Sequence, residues 1–176
     1  IGGGAAGPKT AAKAKRVNPE NQIELYTDEN LISYSACGLP YFIEGTVKNI
    51  NQLIVRTPEE FEKQGIKIFL EHKAQKIMPE KKCVIINDKE VFYDELVICT
   101  GAKPYVPNVK NVNIDGVYFL RHIEDGIKIK EEMHKARRVV IIGGGYIGIE
   151  LLEAFVQNGV HATVIEYGSR LMRVFD

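Results

Sequence analysis

The stretch richest in chemistry is Ser33-Tyr34-Ser35-Ala36-Cys37-Gly38-Leu39-Pro40-Tyr41, where one cysteine sits just before a glycine and an expected helix start. A thiol there is a candidate nucleophile, because the free N–H groups of a helix start favour the thiolate. A buried structural cysteine is the competing reading of this stretch taken alone. No second cysteine lies within ten residues on either side, which excludes a local CxxC or CxxxxC redox pair.

Two glycine-rich turns flank this stretch in the chain. Gly2-Gly3-Gly4-Ala5-Ala6-Gly7 and Gly143-Gly144-Gly145-Tyr146-Ile147-Gly148 both satisfy G-x-G-x-x-G. In such a turn the first two glycines permit a tight bend and close approach of a pyrophosphate, and the last lets helix and strand pack closely. The following helix offers N–H groups and the positive end of its dipole. The candidate contacts are Gly2, Gly4, Ala5, Ala6 and Gly7 in the first turn, and Gly143, Gly145, Tyr146, Ile147 and Gly148 in the second. The second turn follows an apolar strand at 139–142 and precedes a helix at 149–158, the stop Gly159, a strand at His161–Ile165 and Glu166. That acid, 23 residues after Gly143, has the spacing of a ribose-binding carboxylate. Before the first turn only Ile1 is present, so a flexible glycine-rich end stays open as an alternative there. Its ribose-binding candidate is Asp28, with Glu29 beside it, both just past a strand at 22–26; solvated loop carboxylates are the competing reading. Two dinucleotide turns and a lone cysteine fit a flavin at the first turn and a nicotinamide donor at the second, with electrons passing to Cys37, since hydride chemistry needs a cofactor to carry it.

The elements that must position these residues have their own signals. Ala11 to Arg16 reads as a helix with Pro8 in its first turn. Thr57-Pro58-Glu59-Glu60 is a capped helix start, stopped by Gly65. Strands are expected at 66–70, Cys83–Ile86 and 90–93, with Asn87-Asp88-Lys89 as a hairpin turn, and at 95–100, ending in Gly101. Pro104 and Pro107 mark a crossover, and 122–136 reads as a helix. The fold class is therefore α/β: two Rossmann-like, FAD/NAD(P)-binding three-layer units at 1–107 and 108–176, both incomplete in what reads as a fragment of a longer protein.

Lys+Arg and Asp+Glu are both 23 of 176 residues, so no charge excess argues for nucleic acid or an anionic membrane. No apolar run approaches a membrane span, and no signal peptide is visible. The remaining cysteines, Cys83 and Cys99, give an odd total without paired spacing, which argues against a disulfide framework or zinc site and for a reducing, cytoplasmic setting.

These stretches together resemble the pyridine nucleotide–disulfide oxidoreductases, and more narrowly their single-cysteine branch of coenzyme A-disulfide reductases, NADH oxidases and NADH peroxidases. The resemblance lies in GGGAAG, SYSACGLPY, LIVRTPEEF, YDELVICTGAKP and VVIIGGGYIGIE with its downstream Glu166; the pattern at Ser33, Cys37, Gly38, Pro40 and Tyr41 is the most specific. It implies FAD at the first turn and NADH or NADPH at the second. It implies that Cys37, with Ser33 in the same motif, cycles next to the flavin between thiol and an oxidised form, and that Thr100 and Gly101 return to the flavin site. Oxidases and peroxidases of the branch usually carry a histidine at the position of Ala5, which favours a reductase of coenzyme A disulfide or a related small disulfide or persulfide. Alternatives are an NADH oxidase or peroxidase using a cysteine sulfenate, and a non-catalytic redox-sensing flavoprotein. Two departures from the family pattern are Thr27, where many relatives have a ribose-binding glutamate, and Pro8-Lys9 after the first turn. The resemblance also implies a homodimer in the full-length protein. Lys15 and Arg16 would either meet an anionic coenzyme A phosphate or form a solvated helix end.

Overall fold

Local signals account for most element boundaries. The computed structural model describes residues 1–173. In chain order it contains helix α1 (Ala6–Val17), strand β1 (Ile23–Tyr26), helices α2 (Leu39–Glu44) and α3 (Pro58–Glu62), strands β2 (Ile66–Phe69), β3 (Ala74–Met78), β4 (Cys83–Ile86) and β5 (Lys89–Phe92), helix α4 (Ile123–Met133), strand β6 (Arg138–Ile142), helix α5 (Tyr146–Gln157) and strand β7 (His161–Ile165). The chain is α/β and divides into two compact units, Ile1–Ser35 with Ile54–Ala102, and Ala36–Leu53 with the residues from Lys103 onward. No helix among the described residues is long and apolar enough to cross a membrane.

In the first unit, β1 and β2 pair in parallel from Ile23↔Ile66 to Tyr26↔Phe69. Helices α1 and α3 bury small and aromatic side chains against this pair: Ala11, Ala12, Leu25, Ile32, Phe61 and Ile66 form one cluster. The capping signal at α3 is realised, with the Thr57 N–H donating to the Glu60 carboxylate at 2.8 Å. Gly65 ends the segment in the left-handed region at φ +75°. Strands β3, β4 and β5 form an antiparallel meander, and Asn87 and Asp88 take φ +45° and +63°, as a two-residue type I′ hairpin requires.

Two sequence expectations in this unit change. Strand β3 was not anticipated, because Ala74-Gln75-Lys76 is polar and the register shifts between Ala74 and Lys76, which breaks the alternation a strand reading needs. Conversely, 95–100 forms no strand. This segment meets Ile1, whose amino group donates to the Val97 carbonyl at 2.7 Å and whose carbonyl accepts from the Cys99 N–H at 2.7 Å. Val97 and Ile98 are 51% and 58% exposed. Gly2 in turn donates to the Tyr26 carbonyl at 2.8 Å. The backbone order is thus β2, β1, Ile1, 97–99, the order around the switch point of a doubly wound sheet.

In the second unit, β6 and β7 pair in parallel in full register, Arg138↔His161 to Ile142↔Ile165, with α5 as the crossover between them. Helix α5 begins at Tyr146, directly out of the turn, rather than at 149. The core joins Ile43 of α2 to Ile129, Met133, Ile141, Ala154, Phe155 and Val160. Among the described residues the helical cover of the apolar β6 lies on the Ile141 face, and Val140 and Ile142 are 57% and 66% exposed.

Phe61 is 2% exposed at the centre of the first core. Phe61→Ala is expected to lower the stability of this unit by about 3–5 kcal/mol, read as a shift in its urea midpoint, whereas Phe92→Ala, at a 67% exposed position, should leave the midpoint nearly unchanged.

Candidate functional site

The two glycine-rich turns adopt one geometry. Gly2 and Gly143 both lie in the left-handed region, at φ +111° and +106°. Gly2 donates to the carbonyl of Tyr26, the last residue of β1, and Gly143 to that of Ile165, the last residue of β7, each at 2.8 Å. A Cβ on Gly7 would lie 1.9 Å from the Gly2 carbonyl oxygen, and one on Gly148 2.0 Å from that of Gly143. These contacts fix the last glycine of each motif for packing reasons: only without a side chain does the helix start this close to the strand end.

The middle glycines differ. A Cβ on Gly4 or on Gly145 would meet no protein atom within 4 Å. Packing does not demand glycine there; the space beside each helix start is open. Ala5 and Ala6 are exposed at the start of α1, and Tyr146 and Ile147 are 51% and 55% exposed at the start of α5. The first N–H groups of a helix have no intrahelical partner, so each turn presents donors to this open space. The donor set and the shape both fit a pyrophosphate, the group that FAD and NAD(P)H share.

The residue after each strand end differs in chemistry. Glu166 follows β7, and its two carboxylate oxygens accept from the N–H groups of Gly144 and Gly168, each at 2.7 Å. These two hydrogen bonds, with a further contribution from Arg173, hold its carboxyl below the usual range, against some desolvation. The equivalent residue after β1 is Thr27, only 3% exposed, whose hydroxyl accepts from the Glu29 N–H at 3.3 Å. The acid read from the sequence, Asp28, is exposed and lies one residue beyond this position. Glu29 accepts from the Tyr34 hydroxyl. The stretch from Gly2 to the end of β1 is two residues longer than that from Gly143 to the end of β7, and the strand-end hydrogen bonds show that Thr27 and Glu166 are equivalent in place.

Around the first turn the structure gathers further residues. A Cβ on Gly2 would lie 2.1 Å from the Cys99 carbonyl oxygen and 3.1 Å from the Thr100 nitrogen, so the segment carrying Thr100 and Gly101 is pressed onto this turn. Ser33 has φ +52°, donates its N–H to the Gly3 carbonyl at 2.8 Å and accepts from Val55 at 2.7 Å. A non-glycine residue in the left-handed region is uncommon, and here two backbone hydrogen bonds hold it. Lys15 gives its ammonium to the Asn21 carbonyl at 2.8 Å and Arg16 its Nε to the Ala12 carbonyl at 3.3 Å.

Cys37 belongs to the second unit, with the second turn. Its thiol is exposed, whereas Cys83 is buried in β4 and Cys99 is half-buried. As the sequence suggests, the cysteine lies just before a helix start: Cys37 sits within a 3₁₀ turn, Ala36–Gly38, and α2 starts at Leu39 with Gly38 as its N-cap. A Cβ on Gly38 would lie 2.3 Å from Leu53 Cδ2, so this turn packs closely on Leu53 and a larger residue after the cysteine would require the leucine side chain to move.

Residues 1–176 match the family described as pyridine nucleotide-disulphide oxidoreductase. The chain is 39% identical over 178 residues to an NAD(P)H coenzyme A polysulfide/persulfide reductase of Pyrococcus horikoshii, covering 98% of the chain and 40% of that protein. Reduced Bacillus anthracis CoADR-RHD superposes with a TM-score of 0.96 at 31% identity, over 99% of this chain and 33% of that one. A water-forming NADH oxidase from Lactobacillus brevis, bound to NADH, superposes with a TM-score of 0.94 at 29% identity, over 98% of this chain and 40% of that one. The chain thus spans about 40% of the length of the curated relatives it matches. Its matched length, its paired turns and its α/β architecture agree: the chain belongs to the pyridine nucleotide-disulphide oxidoreductase family.

Proposed function

We propose that the chain is the two-nucleotide portion of an FAD-dependent NAD(P)H oxidoreductase that reduces a small disulfide, persulfide or polysulfide, coenzyme A disulfide being the leading substrate class, through Cys37. The observation that carries this reading is the duplicated turn: two helix starts of one geometry, each with open space at a middle glycine that packing does not require. The first turn, with Thr100 and Gly101 against it, would hold FAD; the second, with Glu166, would hold NAD(P)H. When bound, these groups supply an electron pair to the thiol site.

The chain's own part is nucleophilic. The Cys37 thiolate attacks one sulfur of the disulfide, forming a mixed disulfide and releasing the other half as a thiolate, which takes a proton from water. Two electrons and one proton then return Cys37 to its thiolate and free the second thiol. The exposure of Cys37 supports this role, and the burial of Cys83 argues against Cys83 sharing it. Similarity to the NAD(P)H coenzyme A polysulfide/persulfide reductase supports the substrate class. Alanine rather than an imidazole at residue 5 favours the reductase over the oxidase represented among the solved relatives. Expression in the reducing cytoplasm and a homodimer of the full-length protein complete the proposal.

Three measurements on the full-length protein test it. Cys37→Ser should abolish disulfide reduction while flavin bleaching by NAD(P)H persists; near-wild-type turnover on every disulfide tried would remove Cys37 from the mechanism. Gly145→Ala should cost under about 1 kcal/mol of stability, because its Cβ enters open space, yet weaken NADH binding about tenfold or more by obstructing the pyrophosphate. Gly148→Ala should instead destabilise the fold, since its Cβ collides with the Gly143 carbonyl. Equal binding by wild type and Gly145→Ala would show that the second turn is not a nucleotide cradle.

The third concerns cofactor choice. Glu166 is held ionised by two N–H donors, so a ribose 2′-hydroxyl can donate to it while a 2′-phosphate meets like charge. NADH is therefore expected to be preferred, and Glu166→Ala should narrow the ratio of kcat/KM between NADH and NADPH. An unchanged ratio, or a wild-type preference for NADPH, rules Glu166 out as the ribose reader.

A further inference from the structure

Helix α2 has six residues, far too few to be stable alone. The carbonyls of its last turn have no intrahelical partners, and their partners come from elsewhere in the second unit. The Tyr41 carbonyl accepts from Gly45 and Val47 at 3.1 and 3.0 Å. The Glu44 carbonyl accepts from the Asn158 side chain, just past α5, at 2.9 Å. The Phe42 carbonyl accepts from the Lys130 ammonium, on α4. The same ammonium lies 4.2 Å from the centre of the Phe42 ring, a cation–π contact added to a cation at a helix C-terminus.

The other end of α2 meets the same helix face. A Cβ on Gly126, one turn before Lys130 on α4, would lie 3.0 Å from Leu39 Cδ2. Helix α4 therefore touches α2 at its first residue through Gly126 and near its last through Lys130, while Ile43 is fully buried between them in the unit's core. Lys130 is an unusual choice for such a place. It is half-buried, and burial, followed by the nearby Lys48 ammonium, holds it below the ordinary lysine range. A methionine would fill the same stem volume without that desolvation, so what the lysine adds is the bond to the α2 carbonyl.

We propose that Lys130 is a positioning residue for Cys37: by tying down the C-terminal end of α2 it fixes the 3₁₀ turn from which the thiol is presented. Asn158 assists from α5. The catalytic consequence rests on the reading of Cys37 as the nucleophile; the geometric one does not. The test is peptide-resolved alkylation of the full-length protein by iodoacetamide across a range of pH, with backbone hydrogen exchange in α5, which shares the second unit with Cys37, as the report of that unit's opening. Lys130→Met should change the Cys37 alkylation rate about fivefold or more with α5 still protected, because the anchor holding the turn is lost. Lys130→Arg, which keeps the donor, should return the rate to within about twofold of wild type, and Asn158→Ala should change it less than Lys130→Met does. A Cys37 rate in Lys130→Met within about twofold of wild type overturns the proposal. So does a changed rate that Lys130→Arg fails to restore. If α5 loses its protection in Lys130→Met, so that the unit fails to fold, Asn158→Ala decides: an unchanged Cys37 rate there overturns the proposal. Turnover separates the two readings, since an active Cys37→Ser protein would end the nucleophile assignment while leaving the alkylation result to judge Lys130.

Discussion

The structure of each unit depends on one close approach: the start of a helix against the carbonyl of the turn that leads into it. Gly7 on Gly2 and Gly148 on Gly143 come within a distance that no Cβ could occupy. Because the helix begins there, its N-terminal donors face the open end of the strand rather than another part of the protein. The left-handed φ of Gly2 and Gly143, and their hydrogen bonds to Tyr26 and Ile165, are the other half of the same constraint: they bring the chain back to the neighbouring strand in time for the helix to start. Everything assigned to nucleotide binding hangs on that bend.

Much of this was legible in the sequence, and the reasons are specific. The G-x-G-x-x-G spacing encodes a steric requirement, so it survives without context. The Thr57, Pro58 and Glu60 cap and the Asn87-Asp88 hairpin are local chemistry and were read to within a residue. What the sequence did not show was non-local. Strand β3 opens on the polar Ala74-Gln75-Lys76 with a register shift, and it is a strand because β4 pairs with it, not because its own pattern demands it.

The cysteine segment shows the same division between local and tertiary information. The order Cys37, Gly38, Pro40 announces a turn and a short helix, and both are present. The sequence does not say that α2 is held by α4 and α5, because Lys130 and Asn158 lie 88 and 114 residues from the carbonyls they cap. A six-residue helix cannot supply its own stability. Its position is therefore a property of the second unit's core, through Ile43, and of those two side chains.

Two turns of nearly identical backbone end beside residues of opposite capacity. Glu166 is an anion fixed by two N–H donors and able to accept further hydrogen bonds through its remaining lone pairs. Thr27 is buried and neutral, with its oxygen already accepting from Glu29. A carboxylate at a strand end discriminates against a phosphate on a ribose because like charges repel; a buried, neutral hydroxyl carries no such charge. In the proposed function the backbone repeats the general requirement for a pyrophosphate, while the residue after each strand differs between the two turns. On the proposed reading, selectivity for the nicotinamide donor would be altered at Glu166 with little disturbance of the bend, because its hydrogen bond to the bend comes from the Gly144 N–H, a donor that a water molecule can satisfy.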